Sequence, residues 1–169
     1  MKGVFAVLIC FLSQFGFSQN KLESWKDFQT FEKQWIRLER DNQGYLLYQP
    51  CEGSINRIDI QQRRIGIYWT LESPDFFEIE KASLNKEGNL FTFSFRGSGN
   101  SKGTAEAKIV DKIQGLVLWK FNFIFNNSVS SEIIWVMTPK IYANEFRFVD
   151  NPCPDGKIKE KEFLPIEFK

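Results

Sequence analysis

What most constrains this chain is a period-two alternation of large apolar residues that recurs along most of its length. Phe91, Phe93 and Phe95 alternate with Thr92 and Ser94, and Trp119, Phe121, Phe123 and Phe125 alternate with Lys120 and Asn122. Ile65, Ile67, Trp69 and Leu71 share a face opposite Gly66, Tyr68 and Thr70, with shorter copies at Ile58 and Ile60, Phe77 and Ile79, Ala105, Ala107 and Ile109, and Phe146 and Phe148. Side chains of a strand point to opposite faces in turn, so each pattern places one apolar face inward and one polar face outward. Turn residues separate the runs at roughly 8 to 14 positions, as in Asp41-Asn42-Gln43-Gly44, Ser73-Pro74-Asp75 and Asn85-Lys86-Glu87-Gly88. Such spacing indicates an all-β domain, and the even meander predicts an antiparallel up-and-down barrel of about 8–10 strands rather than βαβ units. Closure also removes the edges that strands this hydrophobic would otherwise expose. One window, Leu22, Trp25 and Phe28, has helical spacing and predicts a short N-terminal helix flanking the sheet.

The first residues belong to a different kind of segment. Lys2 precedes an apolar run from Val4 to Leu12, and small residues stand at Gly16 and Ser18. This is the pattern of a secretory signal peptide, 1–18, with cleavage after Ser18 and a single domain over 19–169. The run is too short for a membrane, which needs roughly 20 apolar residues, and charges interrupt every later candidate span. The expected location is therefore outside the cytoplasm: periplasm, cell surface or extracellular space. Of the three cysteines, Cys10 leaves with the signal, and Cys51 and Cys153 remain. In an oxidising compartment a lone pair is expected to bridge, worth about 4 to 5 kcal/mol for a loop this long in the chain-entropy model.

Charge and composition narrow the functional classes. Cleavage removes the one basic residue Lys2 from the 22 basic and 21 acidic side chains, leaving the mature chain neutral. A neutral chain has no general field for nucleic acid or an anionic surface. There is no histidine, which excludes His-based triads and the common imidazole metal sites. Glu78 and Glu80 read as the solvated side of a strand, and Gly97-Ser98-Gly99 lacks the helix that a phosphate cradle needs. No catalytic motif and no cofactor is expected, and the chain reads as a non-enzyme. Arg57, Arg63 and Arg64 stand beside Tyr68 and Trp69 and read as solvated charges or a grip on an anionic partner.

The predicted arrangement resembles the lipocalin-like barrels: a signal peptide, a short helix, a tryptophan opening the first strand (Trp35 in Lys33-Gln34-Trp35-Ile36-Arg37-Leu38), and the cysteine pair Cys51 and Cys153. The resemblance implies a barrel able to enclose a small apolar ligand. With aromatics at 16% of the chain, two interiors are open: a packed core, or a cavity lined by Trp69, Phe93, Trp119, Phe121 and Trp135. A filled barrel would instead work as an envelope protein–protein interaction module, an inhibitor or accessory subunit.

Overall fold

The computed structural model describes residues 31–98, 101–125, 128–152 and 161–166. The segment predicted as an N-terminal helix and the proposed signal peptide lie outside these residues. Ten strands form in chain order: β1 (Gln34–Asp41), β2 (Gly44–Gln49), β3 (Arg57–Gln61), β4 (Arg64–Tyr68), β5 (Asp75–Leu84), β6 (Leu90–Arg96), β7 (Lys102–Asp111), β8 (Leu116–Phe125), β9 (Ser128–Pro139) and β10 (Arg147–Asp150). A short 3-10 helix, Lys140–Glu145, joins β9 to β10.

Eight strands close into the antiparallel barrel expected from the alternation. The order runs β1, β3, β4, β5, β6, β7, β8, β9, and β9 returns to β1 in the register Trp35 opposite Pro139 and Leu38 opposite Val136. The remaining two strands form a flap outside the barrel. β1 leaves the wall after Leu38 to pair with β2, and β10 adds to β2 in parallel, Arg147 opposite Leu46. This parallel pairing joins positions a hundred residues apart. Beneath the flap a second small core packs Leu47 of β2 against Leu38, Leu116, Leu118 and Val136, the outward residues of β1, β8 and β9.

The barrel interior follows from three adjacent strands. On β7 the inward residues are Gly103, Ala105 and Ala107, each in register with two large rings. Gly103 faces Phe95 and Phe123, Ala105 faces Phe93 and Phe121, and Ala107 faces Phe91 and Trp119. The small strand makes room for rings arriving from both neighbours. A Cβ at Gly103 would fall 2.7 Å from the Phe95 ring, so only glycine fits there. The rings then stack in a row, Phe93 on Trp119 at 5.7 Å and 5°, and Trp119 on Phe121 at 5.6 Å and 11°. Burying each such side chain contributes about 1.5–3 kcal/mol, and offset stacking about 0.5–1.5 more per pair.

Candidate binding site at the barrel mouth

The two ends of the barrel are built differently. At the end holding the start of β1, Phe31 packs against Trp35, Phe91, Phe93 and Trp119, at centroid distances of 5.0, 4.2, 5.9 and 5.9 Å. This closes that end with an aromatic plug. At the opposite end, the mouth, Trp69 lies edge-on to Trp135 at 5.2 Å and donates from Nε1 to Asp75 Oδ2 at 2.8 Å.

Between plug and mouth the interior is full. A cavity that admits water leaves accessible area on the side chains around it. Phe93, Phe95, Trp119, Phe121, Ala105, Ala107 and Met137 have none, and Trp135 keeps 3%. Of the five residues considered as lining, Phe93, Trp119, Phe121 and Trp135 thus pack together in the core, while Trp69 caps it at the mouth. The small residues Ala105 and Ala107 are spaces already taken by neighbouring rings. Among the described residues Trp119 Nε1, at the centre of this core, has no hydrogen-bond partner. An unmet buried donor costs about 1–3 kcal/mol, which the surrounding ring contacts offset.

Open space lies on the outside of the barrel, in several surface clefts; the one at the mouth, of about 360 Å³, lies between the barrel rim, the β2–β3 loop and the C-terminal segment. β1 supplies its charged wall. Trp35, Arg37 and Glu39 share one face of the strand, but only Trp35 is inside the barrel; the next two positions emerge at the rim. Arg37 sits over the Trp135 ring at 5.6 Å, and its Nη2 pairs with Glu39 Oε1 at 2.7 Å. Glu39 keeps only 15% of its side-chain exposure, and this burial pushes its carboxyl above the ordinary range against the opposing pull of Arg37. Arg37 Nε has no hydrogen-bond partner among the described residues. Asn56 and Thr70 extend the polar side, Thr70 Oγ1 donating to Asn56 Oδ1 at 2.5 Å. Ile55, Leu71, Tyr48 and Phe163 provide the apolar side, the last two in edge contact at 4.8 Å.

The loop over this cleft is held in one conformation. Gly53 has φ of +85°, and any Cβ there would overlap the Thr70 carbonyl oxygen. The Ser54 N–H donates to that oxygen at 3.0 Å, and Gln49 Nε2 donates to the Gly53 carbonyl at 3.0 Å. On the far side of the flap, Asp41 accepts from Arg147 Nη2 at 2.6 Å and from Lys161 Nζ at 3.3 Å, tying the β1–β2 turn to β10 and the C-terminal segment. The Arg147 hydrogen bond, with the Gln43 N–H, holds its carboxyl down at about 2.

Reasoning from the sequence missed Arg37 and Glu39. The available signal was their place on the Trp35 face of a strand, where charge marks departure from the core. The Arg57, Arg63 and Arg64 cluster is spread over the outer wall and a turn, with Arg57 stacked on Tyr68 at 3.8 Å and Arg64 near Phe76 at 5.5 Å. Glu78 and Glu80 are exposed, Glu80 pairing with Arg96 at 2.6 Å. Among the described residues no group of three or more Cys, Asp or Glu is placed to hold a metal. No helix among them is long and apolar enough to cross a membrane.

Compared with known proteins, the chain matches no family model, and no curated protein or solved structure is significantly similar to it. The closed eight-stranded antiparallel barrel is consistent with a lipocalin-like architecture.

Proposed function

We propose that this is an exported binding protein whose barrel is a filled scaffold and whose ligand sits in the cleft outside the mouth. The observation that carries the reading is the contrast between an interior without accessible area and a cleft of about 360 Å³ at its rim. That volume lies within the range of small-molecule sites, roughly 300–1,000 Å³. The lining suits a small amphipathic molecule, with its apolar part against Tyr48, Phe163 and Leu71 and its polar part toward Arg37, Asn56 and Thr70. Relative to the lipocalin-like expectation, the ligand moves from the lumen to the rim. The cleft binds and does not turn its ligand over in this reading.

Export and the Cys51–Cys153 bridge belong to the same proposal. Cys153 lies outside the described residues, but the chain that leads to it runs beside the chain that leads to Cys51. The Asn151 N–H donates to the Gln49 carbonyl at 3.1 Å, and each cysteine follows two residues after one of these partners. Non-reducing peptide mapping of the secreted protein should recover the linked pair, with a mature start near Gln19. Two free thiols, or an intact Met1, would remove these elements.

The binding reading is tested by fluorescence titration with palmitate and with anilinonaphthalene sulfonate. One saturable site is expected, lost in Arg37→Met and kept in Phe91→Leu. A site that survives Arg37→Met but not Phe91→Leu would return the ligand to the lumen. A second reading, in which an envelope protein seats a loop in the cleft, is favoured by the same filled interior. Pull-down from the native envelope with wild type and Arg37→Met distinguishes it.

A further inference from the structure

The plugged end of the barrel exposes several large apolar side chains. Among the described residues eight large hydrophobic side chains are exposed, and four of them, Val110, Ile113, Ile141 and Tyr142, belong to the end of β7, the β7–β8 turn and the 3-10 helix at this end, with Ile113 and Tyr142 lining one cleft. Ile113 lies at the apex of the β7–β8 turn with 94% exposure, and Ile141 in the 3-10 helix with 66%. The two elements are packed against each other, since a Cβ at Gly115 would fall 2.7 Å from the Tyr142 ring. The turn itself is fixed. Asp111 Oδ1 accepts from the Ile113 N–H at 2.8 Å and from the Gln114 N–H at 3.0 Å. Ile113 is therefore held outward on a rigid hairpin, and its exposure is a property of the fold.

The charges around this rim complete the pattern. Lys112 precedes Ile113 and Lys140 precedes Ile141, both exposed. The turns and connections at this end carry six basic side chains, Lys33, Arg63, Arg64, Lys86, Lys112 and Lys140, against Glu32, Glu87, Asp111 and Glu145. The excess among these is two positive charges, and Lys112 and Lys140 stand directly beside the exposed isoleucines. A protein partner for Ile113 would need a pocket shaped to a convex apex, whereas the acyl–headgroup boundary of a bilayer accepts any convex apolar tip. Tyrosine suits that boundary, and lysines beside it are attracted to anionic headgroups.

We propose that the plugged end docks reversibly on an anionic lipid surface, with Ile113 and Ile141 entering the interface and Lys112 and Lys140 contacting headgroups. The mouth cleft, at the other end of the barrel, then faces away from the membrane.

The test is flotation of the processed, secreted protein with phosphatidylglycerol–phosphatidylethanolamine vesicles and with phosphatidylcholine vesicles. Wild type should float with the anionic vesicles, less with the neutral ones, and less again at high salt. The Ile113→Asp/Ile141→Asp variant should bind about tenfold more weakly or worse, with an unchanged melting midpoint because both positions are exposed. Lys112→Glu/Lys140→Glu should weaken anionic binding alone. The proposal is overturned by absence of wild-type flotation, or by variants that float as well as wild type. It is equally overturned if the isoleucine variant loses an envelope protein partner while vesicle binding stays unchanged.

Discussion

The barrel interior and the cleft at its mouth use the same strand, β1, in opposite ways. Inside, Trp35 joins a stack of rings that leaves no accessible area on Trp119, Phe93 or Phe121. Two and four residues later, Arg37 and Glu39 occupy the same face and line an open, partly charged cleft. The strand changes role where it leaves the wall to pair with the flap, at Glu39 opposite Leu46. The difference teaches that an aromatic-rich barrel need not be a container. Its aromatic residues fill it, and its recognition surface is assembled where the apolar alternation gives way to charge.

The contrast is broken most forcefully from the inside. Trp119→Ala removes the central ring of the stack and should destabilise the domain by about 3–5 kcal/mol, read as a shift of the urea midpoint. The same variant should gain xenon or benzene binding in the lumen, as an apolar cavity does, while wild type takes up neither. A wild type that already binds benzene would mean that the interior is open.

A smaller effect is expected at the loop over the cleft. Gly53→Ala forces a strained φ and a clash with the Thr70 carbonyl, at a cost of about 1–3 kcal/mol. Anilinonaphthalene sulfonate affinity should fall with it, while the near-ultraviolet circular dichroism of the core tryptophans stays unchanged. Loss of the core signal together with binding would show that loop and barrel are not separable.

The least effect is expected at Asp41, and only in acid. Its carboxyl is lowered from 3.8 to about 2 in the folded chain, so its stabilising contribution is complete above about 3.8 and is lost as pH falls toward 2. Asp41→Asn should flatten the dependence of melting temperature on pH across that window and leave the neutral range nearly unchanged. An identical acid profile in the variant would assign the acid sensitivity to another group.

How much of this was legible depends on the range of the interaction involved. The antiparallel barrel follows from local alternation, because Phe91-Phe93-Phe95 and Trp119-Phe121-Phe123 mark their own inward faces. Ala105 and Ala107 were visible as small residues on an alternating face. Whether they marked a cavity or interdigitation depends on the registers with β6 and β8, which alternation does not contain. The flap was less legible still: Phe146 and Phe148 announce a strand, but its parallel partner lies a hundred residues earlier. The cleft joins β1, the β2–β3 loop, Thr70 and Phe163, four segments distant in sequence. Only the charges at Arg37 and Glu39, on the Trp35 face, hinted at it.

The central claim is that ligand is recognised at the mouth and not in the lumen. It is tested most directly by following the indole N–H resonances of the five tryptophans during titration with anilinonaphthalene sulfonate. Trp69, hydrogen-bonded to Asp75 at the rim, should shift and saturate, while Trp119 stays fixed and its N–H exchanges slowly with solvent. A saturable shift of Trp119 with Trp69 unmoved would place the ligand in the lumen and contradict the account.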